Sequence, residues 1–125
     1  MIPGALVVTH GELGEVMVRE VCRLIGQEER IISMRTEGLS ASEISDRISE
    51  LIGTEPWIVF TDAPGTSPTV RSCAAISEGQ AVITGVNLGM LISFLIHRKR
   101  LGIPELAAKM VEDGKRSLEL MWPRP

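Results

Sequence analysis

Apolar residues follow two different repeats along this chain. Four short stretches rich in aliphatic residues, Ala5-Leu6-Val7-Val8, Arg30 to Met34 with Ile31-Ile32, Trp57-Ile58-Val59-Phe60 and Ala81-Val82-Ile83-Thr84, read as strands, most of them buried on both faces. Between them the apolar spacing is helical. Leu13, Val16, Met17, Val21, Leu24 and Ile25 share one face of a segment from Glu12 to Ile25 that Gly26 stops. Ser40-Ala41-Ser42-Glu43 has capping-box spacing ahead of Ile44, Ile48, Leu51 and Ile52, and Gly53 follows. A third helix runs to about Ile76, with Ser67 as candidate N-cap and Pro68 in the first helical position. After the turn Gly85-Val86-Asn87, the residues Leu88, Leu91, Ile92, Leu95 and Ile96 line a fourth helix. Pro104 opens the last, which is expected to bury Leu106, Met110, Val111 and Leu118 before Met121 to Pro125 run out as a tail. Met17, Met90 and Met110 are expected in the core.

Strands alternating with helices of this length imply βαβ units with right-handed crossovers, hence a three-layer α/β sandwich around a parallel sheet. Strand order 2-1-3-4, that of flavodoxin-like folds, is the expected arrangement. Its switch point lies between strands one and three, where ligands of such sheets bind. The first strand ends at Thr9-His10-Gly11 and the third at Thr61-Asp62, so His10 and Asp62 are expected to face each other. A carboxylate bonded to one imidazole nitrogen fixes the tautomer, leaves the other lone pair outward and stabilises the cation formed on attack. Taken alone, Asp62 is equally at home bonding to its own loop backbone, and a lone histidine after a strand is as readily structural.

At 125 residues the chain has the length of one domain, residues 1–125, without a linker or repeat. The net charge of −3 with scattered signs argues against a nucleic-acid partner. The one basic cluster, His97-Arg98-Lys99-Arg100, complements the dipole at a helix end. Cys22 and Cys73 fall inside predicted helices in no metal-like spacing, so two reduced, buried thiols in a cytoplasmic protein are expected. Neither a signal peptide nor a membrane span is expected from the short first apolar run.

Three motifs in register, Val7-Val8-Thr9-His10-Gly11-Glu12-Leu13-Gly14, then Phe60-Thr61-Asp62 through Gly65 with Ser67-Pro68, then Ile83-Thr84-Gly85-Val86-Asn87-Leu88-Gly89-Met90-Leu91, carry a resemblance over essentially the whole chain. It resembles the IIA domain of the mannose class of the bacterial sugar phosphotransferase system. The resemblance implies that His10 accepts a phosphoryl group from the phosphohistidine form of the small carrier HPr, that Asp62 orients it, and that a histidine on a IIB domain receives it. It also implies a cytoplasmic homodimer. No nucleotide or metal is expected, because the donor is already a phosphoramidate, and neither G-x-x-x-x-G-K-[ST] nor G-x-G-x-x-G occurs.

Gly11, Gly65, Thr66 and Ser67 are the expected phosphate-binding positions, since glycine loops and helix starts present N–H groups to anions. Ser67 is also explained as a simple cap, Asn87 as a turn former, and Thr9 by either role. The family usually has two consecutive glycines before Ser-Pro or Thr-Pro, whereas this chain has Ala63-Pro64-Gly65-Thr66. Thr66 is therefore expected to narrow the phosphate cradle or to alter the partner surface. Thr66→Gly is expected to speed transfer, the alternative being that Pro64 and Thr66 are fitted to each other and to an unusual partner, so that the substitution slows it. The tail is short and proline-rich for the edge strand that some mannose-class dimers exchange. Two other functions remain: a regulatory module in which phosphorylated His10 reports carrier status to a partner, and a ligand-binding flavodoxin-like domain without phosphoryl chemistry. The sugar is not encoded, because in the family selectivity resides in the membrane components.

Overall fold

The structure, a computed structural model, describes residues 1–124; of the expected tail, Pro125 lies outside them. Strand and helix alternate as β1 (Gly4–Thr9), α1 (Leu13–Ile25), β2 (Ile31–Arg35), α2 (Ala41–Ile52), β3 (Trp57–Thr61), α3 (Ser67–Ala75), β4 (Ala81–Thr84), α4 (Leu88–His97) and α5 (Ile103–Arg116). The strands form one sheet in order β2-β1-β3-β4, with every neighbouring pair parallel. This is the expected flavodoxin-like order. β1 and β3 are buried at every position because each lies inside the sheet with helices over both faces.

Side-chain alternation divides the core in two. Ala5, Val7, Ile58 and Phe60 point to the side covered by α1, α4 and α5, where they meet Val21, Leu91, Phe94, Leu106 and Met110. The Phe60 and Phe94 rings pack edge to face there, with centroids 5.5 Å apart. Leu6, Val8, Trp57 and Val59 point to the other side, against Ile44, Ile48 and Ile52 of α2. The Ser40–Glu43 capping box is formed: Glu43 N–H donates to Ser40 Oγ at 3.2 Å and Ser40 N–H to Glu43 Oε1 at 3.0 Å. Met90 and Met110 are buried and Met17 packs against the same cluster.

Several expected core positions are exposed, for identifiable reasons. In α1 the buried face runs through Gly14 and Val21, flanked by Met17, Val18 and Cys22, while Leu13, Val16, Leu24 and Ile25 face outward. A Cβ at Gly14 would lie 3.1 Å from the Val7 carbonyl oxygen and from Thr9 Oγ1. The helix therefore turns its glycine onto β1, a contact that an apolar count does not register. Leu51, Leu88 and Ile96 lie on outer faces of their helices. α5 buries Ile103, Leu106, Met110 and Gly114 and ends at Arg116, so Val111 and Leu118 are exposed rather than buried. Contrary to expectation, neither thiol is fully buried: Cys22 flanks the core half-buried, and Cys73 is exposed because α3 turns Pro68 and Ser72 inward instead. The N-cap of α3 is Thr66, not Ser67, which places Pro68 second in the helix.

At the amino ends of β1 and β2 the chain is tied by Arg98, the residue that ends α4. Its side chain is buried, with Nη2 donating to the Glu29 carbonyl at 2.7 Å and Nη1 to those of Arg30 and Pro3 at 3.4 and 3.5 Å. Its role is thus to hold strand starts together, beyond complementing a helix dipole. Among the described residues no helix is long and apolar enough to cross a membrane.

Candidate functional site

The register of the two inner strands pairs Val8 with Thr61, so the residues that follow leave the sheet side by side. Gly11, with φ of +56°, turns the chain sharply after His10 and into α1. Thr9 completes that turn from below: its buried Oγ1 accepts the Gly14 N–H at 2.8 Å, a capping role for a helix whose N-cap residue, Glu12, makes no side-chain cap bond. His10 is thereby held at a tight corner with its ring in solvent.

Asp62 meets it there. Oδ2 of Asp62 lies 2.8 Å from His10 Nδ1 and 3.1 Å from the His10 backbone nitrogen, which donates to it. Oδ1 accepts the Ala63 N–H at 2.8 Å and the Thr66 hydroxyl at 2.9 Å. The aspartate side chain is 14% exposed and the histidine side chain 58%. Partial burial opposes ionisation of Asp62, yet the donors from His10, Thr66 and Ala63 outweigh it and hold the carboxyl at about 2. An ionised carboxylate only accepts, so the proton between the two side chains sits on Nδ1 and the lone pair on Nε2. Such a pair can offer a nucleophilic nitrogen outward and neutralise positive charge appearing on the ring.

His10 and Asp62, expected to face each other, are thus bonded directly. The four expected phosphate-binding residues are placed differently from one another. Gly11 adjoins His10; Gly65 has φ of +80° with open space where a Cβ would be, as a glycine turn requires. Ser67 opens α3 and is exposed. Thr66 sits at φ −77° and ψ 162°, extended backbone that any residue adopts, so it imposes no strain that a glycine would relieve. Its hydroxyl is directed at Asp62. Asn87 caps α4 by accepting the Met90 N–H at 2.9 Å and donates to the Gly114 carbonyl at 3.2 Å, which accounts for it structurally.

Thr69 was not singled out by the sequence and belongs to the same unit. Its Oγ1 lies 2.6 Å from the Ala63 carbonyl and 2.6 Å from Thr61 Oγ1, 3.2 Å from Thr66 Oγ1 and 3.3 Å from Thr84 Oγ1. The signal was present: threonines end both β3 and β4 in register, and two more are spaced by three at the start of α3. On the other side of β1, β2 ends in Arg35, whose guanidinium pairs with Glu15 and Glu12 at the α1 start. Among the described residues no group of His, Cys, Asp and Glu is arranged to hold a metal ion.

The β2-β1-β3-β4 order of parallel strands with helices on both faces makes this a flavodoxin-like α/β protein. The chain belongs to the mannose/fructose-class IIA family of the sugar phosphotransferase system: the family described as EIIA-man, PTS system fructose IIA component, matches residues 4–111. Solved structures with the same fold include an EIIA component from Streptococcus agalactiae, with TM-score 0.85 and 20% identity over 94% of this chain and 96% of that one. A mannose/sorbose-specific IIA subunit from Enterococcus faecalis has TM-score 0.82 and 22% identity over 100% and 98%. A sigma-54 interaction domain protein from Enterococcus faecalis follows at TM-score 0.74, 12% identity and 93% of each chain. No curated protein sequence matches the chain.

Proposed function

We propose that residues 1–125 act as one IIA unit that carries phosphoryl groups on His10. Family membership supports a phosphocarrier role in the sugar phosphotransferase system. The observation that carries the residue assignment is the 2.8 Å bond from His10 Nδ1 to an ionised Asp62, with the ring itself exposed. The neutral ring attacks through Nε2: a P–N bond forms there as the P–N bond to the donor imidazole of phospho-HPr breaks. The Nδ1 proton stays in the bond to Asp62, whose charge balances the imidazolium that results. Transfer to a histidine of a IIB component reverses these steps. Gly11, Gly65, the α3 start and Ser67 supply N–H and hydroxyl groups toward phosphoryl oxygens. The site is cytoplasmic, and the working unit is a homodimer; the unpaired edge of β4 and the exposed Leu118, Leu120, Met121 and Trp122 support a second copy.

The test is incubation with phosphoenolpyruvate, enzyme I and HPr, followed by intact mass and phosphosite mapping. One acid-labile phosphate on His10 is expected, none on His97 and none in His10→Gln; an unmodified wild type would defeat the assignment. A second reading is favoured by the likeness to the sigma-54 interaction domain protein and by the Pro64–Thr66 departure in the loop: phosphorylated His10 reports carrier status to a regulatory partner by adding surface charge. Prompt loss of the label to added IIB supports transport. Retention of the label in its presence supports regulation.

A further inference from the structure

Thr66 occupies the N-cap of α3, where a threonine in extended backbone ordinarily accepts an N–H from the first helical turn. It makes no such bond. Its hydroxyl turns back instead to lie 2.9 Å from Asp62 Oδ1 and 2.8 Å from the Ala63 carbonyl. One hydroxyl has one proton, so these two acceptors compete for it.

Proton accounting in the threonine cluster decides the competition. The Ala63 carbonyl has a closer donor, Thr69 Oγ1 at 2.6 Å. With its proton spent there, Thr69 is an acceptor toward Thr61 Oγ1, also at 2.6 Å. The hydroxyls thus align in one direction, Thr61 to Thr69 to the Ala63 carbonyl. That carbonyl keeps a second lone pair, but it is already served, and the charged Asp62 carboxylate is the stronger acceptor, so the Thr66 proton goes to Asp62. Without that donor Oδ1 would keep only the Ala63 N–H, and the orientation of the carboxylate against the His10 ring would rest on that bond and the two from His10 to Oδ2.

We propose that Thr66 is a positioning residue for phosphoryl transfer: its hydroxyl, freed for the task by Thr69, locks the Asp62 carboxylate against His10 Nδ1 in place of the glycine usual in this family. The proposal rests on the carrier reading of His10. It reverses the expectation from sequence, because Thr66→Gly relieves no backbone strain and deletes the donor.

The experiment has two readouts. NMR of the unphosphorylated protein follows the His10 ring nitrogens and the Asp62 carboxyl through a pH titration; stopped transfer from phospho-HPr gives single-turnover rates. Thr66→Val is expected to raise the Asp62 titration midpoint, increase the Nε2–H tautomer of His10 and slow transfer by about tenfold, the lower end of what loss of an orienting partner costs. Thr66→Ser is expected to stay close to wild type in all three, and Thr66→Gly to be slow. Thr69→Val, which leaves Thr66 intact but returns the Ala63 carbonyl to it as a rival acceptor, is expected to move the same quantities less far. Unchanged His10 and Asp62 titrations in folded Thr66→Val, or a Thr66→Ser variant that behaves like valine, would overturn the proposal; if valine fails to fold, an unmoved Thr69→Val does the same. A wild type that takes no phosphate defeats the carrier reading and leaves the NMR comparison standing.

Discussion

At the carboxyl ends of the strands, Asp62 keeps its charge because four donors converge on it from one loop and from His10, and the group it holds stands in water. At the amino ends, Arg98 lies in the interior, its guanidinium bonded to main-chain carbonyls before β1 and β2 and paired with Glu28 at 3.5 Å, and its Nε has no hydrogen-bond partner among the described residues. Both are ionised groups tied to backbone, yet one arrangement presents a solvent-facing ring and the other closes the fold. What separates them is the exposure of the partner. A charge bonded to buried carbonyls can do nothing further, whereas a charge bonded to a solvent-facing imidazole biases its chemistry.

Substitutions at the two poles should therefore separate rate from stability. Asp62→Asn keeps an acceptor oxygen but removes the charge that balances the imidazolium, so transfer from phospho-HPr is expected to fall by about two to four orders of magnitude in a folded protein, as in comparable triads. Unchanged kinetics would reduce Asp62 to a loop residue. Arg98→Met retains the apolar stem but strips donors from buried carbonyls; a loss of about 2–3 kcal/mol in denaturant unfolding, with the transfer rate of the remaining folded protein intact, is expected. A slowed rate there would show that the poles are coupled. The smallest effect is pH-dependent. Asp62 is held at about 2 against an ordinary 3.8, so the stability it adds is complete above about pH 5 and is lost as pH falls through 2. The difference in unfolding midpoint between wild type and Asp62→Asn should shrink over that window, and a gap that is as large at pH 2 as at pH 5 would assign it to another contact.

The fold was legible because its signals are local: charge-free inner strands, a capping box and glycine stops each name an element, and crossover rules leave few topologies. The His10–Asp62 pair was legible through that topology, since two strand ends at a switch point must meet. What sequence misplaced involved glycine and hydroxyl groups. α1 is rotated because Gly14 packs on β1, and glycine carries no apolar signal. Thr66 was read as an obstacle by comparison with a glycine, although its side chain is bonded into the site. Thr69 was passed over because a hydroxyl's role depends on which acceptors three-dimensional neighbours leave open, which spacing does not reveal.

β1 and β3 bring together two residues 52 positions apart, and all the pairings of this sheet are parallel. No hairpin can assemble that corner early; during synthesis β1 must wait, unpaired on this side, until α1, β2 and α2 have emerged and β3 arrives. A slip of one residue between the strands would shift their ends by about 3.3 Å and turn each side chain to the opposite face. The 2.8 Å bond does not survive such an error. A chain caught in the wrong register carries His10 without its aspartate, so acquisition of a partnered histidine doubles as an inspection of the finished sheet.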